Sequence, residues 1–119
     1  MMGLGAATRV WLAPGATDLR KSFDGLHALV RHRLELDPLS GHLFAFTNRS
    51  RTRLKILFFD GSGPWVCAKR LEKGRFCWPP ETAAVEGKIS ITREELALLL
   101  GGIDLERTRR REWWRAPAR

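Results

Sequence analysis

The tetrapeptide Asp60-Gly61-Ser62-Gly63 lies between two apolar runs, Leu54 to Phe59 and Trp65 to about Leu71, and it restricts the fold more than any other feature of the chain. Glycine tolerates the positive φ that tight connections require, so this segment predicts a hairpin turn between two antiparallel strands. The same pattern recurs on both sides. Leu43-Phe44-Ala45-Phe46 is a strand closed by the loop Asn48-Arg49-Ser50-Arg51-Thr52, and Glu72-Lys73-Gly74 leads into Arg75-Phe76-Cys77-Trp78, which Pro79-Pro80 terminates. Three successive short connections predict an antiparallel meander.

Other segments supply the remaining layer. Arg9-Val10-Trp11-Leu12 reads as a short first strand ended by Pro14-Gly15. From Thr17 to Glu35, Phe23, Leu26, Leu29, Val30 and Leu34 recur on one helical face, with Thr17 or Asp18 as N-cap and Gly25 as the weak point. Lys88-Ile89-Ser90-Ile91 alternates like an edge strand. Thr92-Arg93-Glu94-Glu95 matches a capping box that opens the run Leu96 to Leu100, closed by Gly101-Gly102. The expected fold is α+β, a meander sheet of five to six short strands with one main helix on a face and a short second helix. Residues 1–105 form this single domain and residues 106–119 a basic tail.

Charge then bears on function. The 119 residues carry 21 Lys and Arg against 13 Asp and Glu, with 44% apolar residues, which describes a folded basic protein. The charge is uneven: residues 49–78 hold eight cations and two anions, and residues 106–119 hold six and two. A single domain of this size has no room for separate cofactor and substrate domains, and no cofactor is expected. No run reaches the 18 apolar residues that span a bilayer, so a cytoplasmic protein without a membrane partner is expected. Cys67 and Cys77 have no ligand-spaced companions and read as reduced packing cysteines.

The central block comprises Arg49, Arg51, Arg53, Lys55, Lys69, Arg70, Lys73 and Arg75. Strand alternation puts Arg51, Arg53 and Lys55 on one face beside the next hairpin, a stripe suited to phosphate contacts. A solvated face without a partner is the plainer alternative. Arg20 and Lys21, with Ser22, stand at the start of the first helix, either as a phosphate site or as cations reaching solvent. In the tail, Arg107, Arg109, Arg110, Arg111 and Arg115 lie around Trp113-Trp114, as in a basic arm on nucleic acid or a helix docking on a protein or on the domain.

Catalysis is not expected. Asp24, Asp60, Glu72 and the histidines His27, His32 and His42 show neither metal-ligand spacing nor a phosphate loop, and a nuclease would need the carboxylates to converge.

The assembled motifs resemble the TnpB-type accessory protein, the second open reading frame of insertion elements of the insertion sequence 66 family. The resemblance runs over about residues 10–79. It rests on Thr17-Asp18-Leu19-Arg20-Lys21-Ser22-Phe23-Asp24-Gly25-Leu26, Asn48-Arg49, Arg53-Leu54-Lys55-Ile56-Leu57, Asp60-Gly61, Lys69-Arg70-Leu71-Glu72-Lys73-Gly74-Arg75-Phe76 and Trp78-Pro79. Cys67-Ala68 stands where the family has large aromatics, and Cys77 where it has a basic residue. The resemblance implies a part in transposition beside a separate transposase. DNA, that transposase and other element-encoded proteins are the expected partners, with self-association left open, and an acidic face of the transposase is the alternative counterpart of the cations.

Overall fold

A computed structural model describes residues 7–102. Its centre is a five-stranded sheet in the order β4-β3-β2-β1-β5, formed by β1 (Val10–Leu12), β2 (Leu43–Thr47), β3 (Arg53–Phe59), β4 (Pro64–Arg70) and β5 (Ile89–Ile91). The strands β2, β3 and β4 are antiparallel neighbours, and β5 joins β1 antiparallel at the far edge. β1 and β2 instead run parallel, with Val10 opposite Leu43 and Leu12 opposite Ala45.

The expected meander is therefore corrected in two places. The parallel pair arises because the segment between β1 and β2 is a helical crossover, the connection that parallel strands need. The segment 75–78 is not a strand of the sheet. Its backbone is anchored by Phe76 N–H donating to the Arg51 carbonyl at 2.7 Å, while Phe76 and Trp78 turn inward and are buried. Their apolar spacing resembles strand alternation, but it serves to cover the sheet rather than extend it.

Both faces of the sheet are covered. On one, α1 (Phe23–Ala28), continued by a π-helical turn Leu29–Arg33, places Leu26, Val30 and Leu34 against Phe44, Phe46 and Leu57. On the other, α2 (Arg93–Gly101) brings Leu96 and Leu99, with Phe76 and Trp78, onto Val10, Leu12, Leu43, Ala45, Leu54, Ile56 and Phe58. This explains why all five residues of β2 are buried, as expected of a strand covered on both faces. The indole N–H of Trp78 donates to the Ala13 carbonyl at 3.0 Å, binding the covering segment to the end of β1.

The first helix is shorter than its periodicity suggests. Residues 17–22 form a turn in which Thr17 N–H donates to the Thr47 carbonyl, and Ser22, not Thr17 or Asp18, occupies the N-cap position without a side-chain cap bond. Asp18 instead accepts from Arg20, through its backbone N–H and its guanidinium. The capping box of α2 is present as expected: Thr92 Oγ1 accepts from Glu95 N–H at 3.0 Å, and Glu95 Oε1 accepts from Thr92 N–H at 2.8 Å. No helix among the described residues is long and apolar enough to cross a membrane.

Candidate nucleic-acid interface

The loop between β2 and β3 is closed by one side chain. Asn48 Oδ1 accepts from the N–H groups of Thr52 and Arg53 at 3.0 and 3.1 Å, and the Asn48 carbonyl accepts from Arg51 N–H. Arg51 adopts φ 62°, the left-handed conformation that closes the loop. Two bonds then tie this loop to the chain beyond β4: Leu71 N–H donates to the Thr52 carbonyl at 2.9 Å and Phe76 N–H to that of Arg51. Two basic segments, far apart in sequence, are thereby fixed at one end of the sheet. Arg49, Arg51 and Arg53 come from the first, and Arg70, Lys73 and Arg75 from the second.

Within that end the register places Arg53 directly opposite Arg70. Directly opposed like charges on neighbouring strands are destabilising, so the pair needs a compensating anion. Glu72 supplies part of it, with its Oε2 3.2 Å from Arg70 Nη2, in an exposed pair of little energetic weight. Arg49, Arg53, Arg70, Lys73 and Arg75 are exposed and Arg51 is half-buried.

The other sequence candidates are engaged differently. Lys55 shares the face of Arg53, but its ammonium donates to the Lys21 carbonyl at 3.0 Å and ties β3 to the turn before α1. Lys69 lies on the opposite face and donates to the Leu100 carbonyl at the end of α2, at 2.9 Å. Arg20 is held by Asp18, whose carboxyl lies well below its ordinary value because Arg20 bonds it. Arg51 does not continue the stripe of Arg53 and Lys55, because it sits in the loop rather than on β3. Arg109, Arg110 and Arg111 lie outside the described residues.

The carboxylates do not converge. Asp60 stands at the hairpin before β4 and Glu72 just beyond its other end, so a seven-residue strand of about 23 Å separates them. Asp60 Oδ1 accepts from the N–H groups of Ser62 and Gly63 and the Ser62 hydroxyl, and its Oδ2 from the Trp65 indole, which together hold its carboxyl well below the ordinary range. Asp24 lies in the first turn of α1, where its charge suits the helix dipole. His42 Nδ1 accepts from Arg9 N–H.

Two residues of β4 stand at the surface against their sequence reading as strand and packing residues. Trp65 is 53% exposed and stacks on Phe58, with ring centroids 6.0 Å apart. Cys67, read from sequence as a packing cysteine, is exposed on β4, while Cys77 is half-buried off the sheet; Cys67 pairs with Ile56 and so shares the sheet face of α2, but it lies on the edge strand beyond the residues that α2 covers.

A protein family described as IS66 Orf2 like protein matches residues 8–110. An uncharacterized protein of Sinorhizobium fredii, y4hO, is 43% identical over 97% of this chain and 96% of its own length. A second uncharacterized protein of the same organism, y4jC, is 35% identical over 93% and 92%. No solved structure matches the chain.

Proposed function

The chain belongs to the IS66 Orf2-like family, and from that membership and the arrangement of its cations we propose that it is a transposition accessory factor that acts by binding DNA. The observation that carries this reading is the opposition of Arg53 and Arg70 at the end of the sheet where Arg49, Arg51, Lys73 and Arg75 also gather. A fold gains nothing from setting two arginines opposite each other on neighbouring strands, whereas a phosphate bound at that end of the sheet can receive N–H donors from both. The surrounding cations add sequence-independent affinity and release counterions on binding. Lys55 and Lys69 contribute charge to the field while holding the layers together.

In this role the protein grips the backbone of the element's terminal repeats and presents them to the separate transposase. The tail cations Arg109, Arg110 and Arg111 extend the same electrostatic attraction. Anisotropy of labelled terminal-repeat and scrambled duplexes tests the proposal. It predicts binding to both that weakens steeply with salt, and preference for the repeat marks end recognition. Absence of binding at low salt overturns it and directs the cations to an acidic face of the transposase, which would co-purify after nuclease treatment.

A further inference from the structure

The strand β4 ends the sheet with nothing paired along its outer side among the described residues. Six of its seven residues are exposed, and only Val66 is half-buried. The hydrogen-bonding phase of this edge follows from its two ends. Asp60 N–H donates to the Gly63 carbonyl, and Leu71 N–H to the Thr52 carbonyl, so Gly63 and Leu71 both face β3. Alternation in an antiparallel pair then turns Trp65, Cys67 and Lys69 inward in their backbone bonding, and leaves the N–H and C=O groups of Val66, Ala68 and Arg70 directed outward. Pro64 falls in the outward phase, where its missing N–H breaks no bond of the sheet.

From this edge we infer that two copies of the chain join by antiparallel pairing of β4 with its equivalent, about a two-fold axis at Cys67. A symmetric contact requires a self-complementary surface, and this register provides one. Val66 of one copy meets Ala68 of the other in a fully bonded pair, twice over, and each Arg70 N–H reaches the partner's Pro64 carbonyl. Trp65 lies opposite the partner's Lys69 on the same face, so that the aliphatic stem of a lysine whose ammonium holds the Leu100 carbonyl lies beside the half-exposed indole. Moving the axis to Lys69 would place Lys69 against Lys69 of the partner, a repulsive pairing. Charge thus sets the Cys67-centred register apart from the Lys69-centred one for a second copy. The two Arg70 residues then lie about 20 Å apart along the strands, one at each end of a continuous sheet.

Light scattering across a concentration series, together with crosslinking by a short homobifunctional maleimide, tests the pairing. Wild type is expected to give a dimer that the reagent traps through Cys67, with Cys67→Ser abolishing the trap and Cys77→Ser leaving it intact. Ala68→Pro removes an outward N–H without touching the bonds to β3, and it should give a monomer with a native circular dichroism spectrum. Should Ala68→Pro fail to fold, the Cys67 trap alone decides. A wild-type monomer at every concentration, or a dimer that Cys67 does not trap, overturns the inference. DNA affinity measured on the monomeric variant keeps this result separate from the binding reading.

Discussion

The indole N–H of Trp65 donates to Asp60 Oδ2 at 2.7 Å, while Asp60 Oδ1 holds the hairpin backbone through Ser62 and Gly63. One carboxylate therefore fixes both the turn and the aromatic of β4, which in turn lies against Phe58.

That relationship makes the hairpin sensitive to acid. The donated bonds, with that of Trp65 foremost, keep the Asp60 carboxyl well below its ordinary value of 3.8. A carboxyl lowered on folding stabilises the native state fully above its unfolded value, and this contribution disappears as pH falls through the folded one. Asp60→Ala should melt below wild type at neutral pH, and the gap should shrink as pH is taken below 3.8. A gap constant over that range, in melting followed by circular dichroism, would show that the charge is irrelevant to the turn.

Gly25 occupies a helix where alanine would ordinarily be favoured by about 1 kcal/mol. A Cβ there would come within 2.9 Å of Lys21 Cβ, on the backbone segment that accepts from Lys55. Gly25→Ala is expected to destabilise despite the gain in propensity, read as a lower urea midpoint with unchanged m-value. A higher midpoint contradicts the close approach.

The conformation of Arg51 allows charge and fold to be separated. At φ 62° glycine fits with less strain, which offsets the flexibility it adds to the unfolded chain. Arg51→Gly should leave the melting temperature nearly unchanged and lower the salt slope of DNA binding by about one, the loss of a single phosphate contact. Loss of folding in this variant would show that the side chain, not the loop, holds the site.

Local chemistry was legible in the sequence where one side chain sufficed to set a turn. The hairpin at Asp60 and the capping box at Thr92 and Glu95 are such cases, because their partners lie within five residues. In the segment 75–78, Phe76 and Trp78 alternate like strand residues, yet their burial depends on a sheet face formed by distant strands. Periodicity cannot distinguish those two uses. The parallel pairing of β1 with β2 is likewise set by what α1 covers, not by residues near either strand. At the candidate interface the basic residues were visible one by one. Their division was not: that Lys55 and Lys69 reach carbonyls of other layers, while Arg53 opposes Arg70, follows from contacts across 34, 31 and 17 positions.

The claim that Arg53 and Arg70 jointly receive a phosphate is tested most directly by replacing both with Gln and measuring the salt dependence of duplex binding by anisotropy. The account predicts that the slope of log affinity against log salt falls by about one, the loss of the phosphate that the two residues share, with stability equal to or above wild type because a like-charge pair is relieved. An unchanged slope in a folded double variant would contradict it.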